Sequence, residues 1–275
     1  MDWQNSWELL QLPFMQRALL GGALLGSTGG LLGSFAVLRQ LSFFGDALGH
    51  SALLGLSLGI VLGISPNLIL IPFLILFAIG VTYLLDKTRL WSDALLNIVY
   101  SASLALSVII LSFAEQYQGG INQLLFGDIL AIRAEQLWFS AVLLLICAVF
   151  LSLTLRSQML LTLNESLAKV RGIQVYQHQF AFVTLLSLAV AVAIKSVGVL
   201  LVSAFIVIPA CTARLLSQRF SQYVILSALL GGSCAIAGVL LSGLFDLPSG
   251  PCIVMTQFLL FLIAMLRPRD ASLMP

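Results

Sequence analysis

Asp46 and His50 stand one helical turn apart in FFGDALGHSALLGLSLGIVLG (43–63), a run otherwise apolar enough to cross a bilayer. At about 100° per residue, Asp46, His50 and Ser57 share one helix face. Gly45, Gly49, Ala52, Gly59 and Gly63 form the adjacent stripe, with Gly55 at its margin. One side thus presents a carboxylate and an imidazole, and the next admits a neighbouring helix at close range. Ionisable groups inside a membrane are costly and usually mark a function. A carboxylate and a neutral imidazole suit a borderline divalent cation such as Zn²⁺, of which they make half a site. The residues alone leave two other roles open, a proton relay and a pair that satisfies itself inside a bundle.

Other candidates carry less chemistry. A second FGD at Phe126, Gly127 and Asp128 gives two aspartates that each follow glycine, the pattern of an intramembrane aspartyl protease. The fit is poor, because Phe43 stands where the first glycine of GxGD belongs, no PAL signature exists, and His50 would have no role. Cys147, Cys211, Cys234 and Cys252 are isolated, with no CxxC or Cys/His cluster, so a closed zinc site is not expected. Lys195 and Arg214 sit at helix ends, where long side chains reach toward water. Pro209 is expected to kink its helix, and Asp246 in FDLPSGP reads as a turn residue. No GxxxxGK[ST] occurs, so the chain has no such motif to cradle ATP phosphates.

These residues must be held by membrane helices. Of 275 residues 60% are hydrophobic and 9% charged, against roughly 25% charged in a soluble domain. The 13 basic residues are dispersed, which gives no nucleic-acid footprint. The pattern predicts an all-α polytopic membrane protein forming one domain over 1–275. Nine spans are expected, at 15–38, 43–63, 66–85, 94–114, 136–155, 178–194, 197–216, 223–244 and 252–266, with eight as the alternative. Gly22, Gly26 and Gly30 should let the first pack tightly, and 121–131 reads as a short amphipathic or re-entrant piece. The N-terminal stretch has no basic region typical of a cleaved signal, and its Trp3 and Trp7 suit a membrane interface. Nine spans place ten basic residues on one side and three (Arg17, Arg133 and Lys195) on the other. By the positive-inside rule the N-terminus is then outside and the C-terminus cytoplasmic. The largest cytoplasmic connection, from Arg156 to Gln177, contains NESLAKVRGI (164–173). It reads as a short helix with Asn164 as N-cap and Gly172 as its stop, and offers a docking surface.

Five blocks in order resemble the integral-membrane permease of the metal-ion ABC importers, the ABC-3 class. They are LGSFAVLRQLSFFGDALGHSALLG (32–55), LLFGDILAI (124–132), NESLAKVRGI (164–173), KSVGVLLVSAFIVIPACTARLL (195–216) and FDLPSGPCIV (245–254). FFGDALGHSALLG is most similar to the zinc-uptake branch. Manganese-type relatives tend to have Met and Pro where this chain has Phe44 and Leu54. The resemblance implies a transport subunit, not an enzyme, with no permanently bound cofactor, that carries Zn²⁺ (alternatively Mn²⁺ or Fe²⁺) across the bacterial inner membrane. It implies three partners: a cytoplasmic ATP-binding subunit, an extracytoplasmic metal-binding protein and a second copy of the chain. Asp46 and His50 match the family's metal-handling pair. Glu165, Ala168 and Gly172 match recurring positions of the coupling helix. Ser57 and Asp128 are further pathway candidates, and Cys211, where relatives commonly have Ala, is a soft-ligand candidate. A proton-coupled carrier acting alone is the remaining transport alternative.

Overall fold

The computed structural model describes residues 11–88, 90–113 and 129–266. Within them each of the nine expected stretches is a helix: α1 (Pro13–Leu38), α2 (Phe44–Val61), α3 (Pro66–Lys87), α4 (Ser92–Ser112), α5 (Ala134–Leu163), α7 (Val175–Val197), α8 (Val199–Leu216), α9 (Phe220–Phe245) and α10 (Ser249–Met265). A short α6 (Glu165–Val170) lies between α5 and α7. Among the described residues seven helices are long and apolar enough to cross a membrane, while Leu201–Leu216 and Ser249–Met265 are shorter apolar helices. Asp128, Trp3, Trp7, Arg89, Arg267 and Arg269 lie outside the described residues. Of the segment 121–131 only Ile129–Ala131 is described, a 3₁₀ turn whose Ile129 is buried against α1.

The glycines of α1 do what their spacing suggests. A Cβ at Gly26 would strike the Gly231 carbonyl of α9, and one at Gly30 the Ser227 carbonyl. On another face a Cβ at Gly33 would strike the Ile206 carbonyl of α8. Apolar tails drive helices together no better than lipid does, so close backbone approach and interhelical hydrogen bonds supply the cohesion. Two such bonds lock this seam: Ser227 Oγ donates to the Gly30 carbonyl (2.6 Å) and Tyr223 Oη to the Ser34 carbonyl (2.9 Å). Pro209 lies within α8, which continues through it to Leu216.

α2 is surrounded by α3, α4, α7 and α8 and is largely buried, whereas α3, α4 and α5 are mostly exposed. Gly45 packs on Ile206, Gly49 on Val199 and Gly55 on Phe73, so these glycines seat the helix. Gly63 does not belong to that stripe. It has no neighbour within 4 Å of a Cβ and ends α2 in the left-handed region at φ +66.

The connection after α5 is shorter than its sequence suggests. α5 continues to Leu163, so Arg156 is an exposed residue on this helix and not part of the loop. Thirty residues span about 45 Å, well beyond the hydrocarbon thickness, so part of the helix must extend past the apolar layer. Asp246 is a turn residue, capping α9 in the left-handed region at φ 52.

Candidate functional site

Asp46 occupies the first turn of α2 and His50 the next. Both line a cavity of about 490 Å³ whose opposite wall is α4, contributing Asp93, Asn97 and Tyr100. These three sit at i, i+4 and i+7, one face of α4. The His50 and Tyr100 rings meet edge to face, with centroids 4.7 Å apart. Asp46 also borders a second cavity of about 300 Å³ with Ser42 and, from α8, Ser203 and Ala204. The acid therefore faces two spaces between helices.

His50 Nδ1 is buried with no hydrogen-bond partner, and among the described residues no hydrogen bond joins it to Asp46. The self-satisfied pair is therefore not what the side chains form. An orphaned buried polar atom costs about 1–3 kcal/mol, so an external partner at the imidazole would bring a gain. Among the described residues no group of three or more His, Cys, Asp or Glu is close enough to hold a metal ion. The arrangement offers N and O donors from two helices across an open space, not a closed cage. Such a set can contact a hydrated divalent cation without trapping it.

The other sequence candidates separate from this site. Ser57 is fully buried and donates to the Leu54 carbonyl at 2.9 Å, so it turns back on its own helix and lines neither cavity. Its place on the Asp46 face is a matter of angle only, since α2 carries it about three turns further along, into the packed core. Asp128 lies outside the described residues. Cys211, half-buried on α8, lines neither cavity at Asp46. Asp93 and Asn97 were not singled out by sequence because they open a separate apolar run. The available signal was the spacing of Asp93, Asn97 and Tyr100.

α6 matches its sequence reading in detail. Asn164 ends α5 and caps α6 at once, accepting from the Leu167 N–H at 3.1 Å. Gly172, at φ +75, closes it: the Gly172 N–H donates to the Lys169 carbonyl (3.0 Å) and the Ile173 N–H to the Ala168 carbonyl (3.1 Å). Glu165 pairs with Lys169 at 2.6 Å, and this hydrogen-bonded carboxylate raises the lysine's pKa. Ala168 is fully buried within the chain, so its methyl seats α6 and cannot face a partner. The outward positions are Leu167 and Val170, the latter 85% exposed.

Similarity to known proteins covers nearly the whole chain. The manganese transport system membrane protein MntC of Listeria monocytogenes is 31% identical over 258 residues, covering 94% of this chain and 92% of its own. The high-affinity zinc uptake system membrane protein ZnuB of Haemophilus influenzae is 31% identical over 250 residues, covering 91% and 96%. The solved structure of PsaBC from Streptococcus pneumoniae in complex with Fab superposes with a TM-score of 0.82 at 28% identity, over 96% of this chain and 95% of that one. The model of the ABC 3 transport family matches residues 11–268, and the chain belongs to that family.

Proposed function

We propose that this chain is the multi-pass membrane permease of an ATP-driven importer of a divalent transition-metal ion, with Asp46 and His50 as its contacts to the ion. The observation that carries this reading is the cavity in which a carboxylate and an unpartnered imidazole on a buried helix face Asp93 and Asn97. Open, incomplete coordination suits a carrier, because a preformed cage of four protein ligands would release its ion slowly. The names of the similar permeases, manganese and zinc systems alike, support the substrate class.

Zinc is not favoured over manganese. The two residues that aligned the sequence with the zinc branch, Phe44 and Leu54, are 1% and 8% exposed and line neither cavity. The cavity's polar wall holds one imidazole against two carboxylates and an amide, a donor set that suits Mn²⁺ at least as well as Zn²⁺. We therefore read the substrate as a first-row divalent ion, manganese or zinc.

Hydrolysis belongs to a separate cytoplasmic ATP-binding subunit that docks on α6 through Glu165, Leu167 and Val170, with Gly172 holding the helix closed. Two copies of the chain form the pathway, and an extracytoplasmic metal-binding protein supplies the ion. The excess of basic residues on the α6 side supports a cytoplasmic placement of that side, with the N-terminus outside. Uptake of ⁵⁴Mn and ⁶⁵Zn in competition, by metal-starved bacteria carrying the chain with its ATPase, tests the reading. Accumulation of either ion that is lost in His50→Ala supports it, and accumulation of neither by the native chain refutes it.

A further inference from the structure

Arg39 caps the C-terminus of α1, and its side chain turns inward to α5 and α7. Nε donates to Thr162 Oγ1 at 3.1 Å, and Nη2 donates to the Gln158 carbonyl at 3.3 Å and to the Gln158 side-chain oxygen. The guanidinium lies over the Phe182 ring of α7, 4.6 Å from its centroid. Gln158 is fully buried, and Thr162 stands two residues before Asn164, the cap of α6. One side chain thus ties the end of α1 to the last turns of α5, from which α6 springs.

Among the described residues every hydrogen-bond partner of Arg39 is neutral. Burial lowers its pKa to about 10, so the group is still charged at neutral pH. A half-buried cation still holds its partners, because letting them go leaves charged donors poorly satisfied where water has only partial access. The turn that follows is hydrogen-bonded, with Gln40 in the left-handed region at φ 57. Gln40 N–H donates to the Val37 carbonyl (3.2 Å), Leu41 N–H to Ala36 (2.9 Å), Phe44 N–H to Leu41 (3.0 Å) and Ala47 N–H to Phe43 (2.9 Å). The Arg39 side chain thus holds α5 to the end of α1, and a short hydrogen-bonded turn of the backbone leads from Arg39 to the turn of α2 that bears Asp46. Beside it a cavity of about 360 Å³, bounded by Asp86, Ser92 and Glu165 among others, leaves room for the elements to shift.

We propose that Arg39 is the joint through which displacement of α6 reaches Asp46 and His50. It is a positioning residue, since it lines neither cavity at Asp46. The inference rests on the reading of α6 as the ATPase dock and of Asp46 and His50 as the ion's contacts.

The test is the number of ⁵⁴Mn or ⁶⁵Zn ions imported per ATP hydrolysed by the assembled transporter in proteoliposomes. Arg39→Gln should retain the ATPase subunit on co-purification while lowering that ratio about tenfold, the scale of a coupling between sites. Arg39→Lys should restore part of it, because one ammonium cannot reproduce the guanidinium's fork to Thr162 and Gln158. If Arg39→Gln does not reach the membrane, Thr162→Val, which removes one acceptor, is measured instead and should lower the ratio severalfold. A native ratio in the assembled variants overturns the joint. Loss of the ATPase subunit from Arg39→Gln also overturns it, by placing Arg39 in docking and not in transmission. The docking reading is tested apart from this, by loss of the ATPase subunit from Val170→Asp.

Discussion

Replacing Gly172 with alanine should weaken α6 without touching anything else. A Cβ there meets nothing within 4 Å, so the cost is confined to the backbone, held at φ +75. For an L-residue that conformation costs roughly 1–2 kcal/mol. Against it α6 has six residues, an Asn164 cap contributing about 1 kcal/mol and a buried Ala168 methyl contributing about 0.8 kcal/mol. The Glu165–Lys169 pair adds little because both side chains are more than half exposed. The strain is comparable with what holds the helix, so Gly172→Ala should open its last turn about 5–30 times more often. Hydrogen exchange of the Ile173 amide, which donates to the Ala168 carbonyl, reads this directly. Affinity for the ATPase subunit should fall by a similar factor. Gly172→Asn should recover most of both, because Asn tolerates the left-handed region. Native exchange and native affinity in Gly172→Ala would refute the reasoning.

Ser57→Ala should leave metal uptake at the native level, because the hydroxyl is occupied by the Leu54 carbonyl away from both cavities; a large loss would return Ser57 to the pathway. Gly33→Ala should lower the melting temperature in detergent, since its methyl would strike the Ile206 carbonyl at a cost of about 1–3 kcal/mol. Asp93→Asn and Asn97→Leu should raise the KM for metal uptake severalfold at unchanged membrane abundance. Native KM values in both would remove α4 from the ion's route.

The helices were legible because apolar runs of bilayer length leave little choice of structure, and the α1 glycines announced a seam that α9 completes at Gly231 and Ser227. The ends of α6 were legible for a local reason: Asn164 and Gly172 act on backbone groups within a few residues of themselves. The far wall of the site was not. Asp93 and Asn97 face Asp46 only because α2 packs against α4, a pairing that neither helix states in its own periodicity. Ser57 misled because a shared helix angle says nothing of depth, and a serine in a membrane helix can satisfy itself on the carbonyl behind it. The zinc preference rested on a signal of the same kind, and similarity to manganese and zinc permeases alike leaves the metal open between the two. Phe44 and Leu54 are informative as letters in a pattern, yet they are buried in the core away from the cavities. Arg39 counted in sequence only as one of ten positive charges, while its contacts come from residues more than a hundred positions away.

The central claim is that Asp46 and His50 hold the transported ion. Equilibrium binding of ⁵⁴Mn and ⁶⁵Zn to the purified transporter, native against Asp46→Asn and His50→Ala, tests it most directly. The account predicts that either change weakens binding of the transported ion by about a hundredfold or more, beyond the 10–100-fold typical of residues that only support a metal's ligands. Native affinity in a folded His50→Ala transporter that still imports the ion would contradict it.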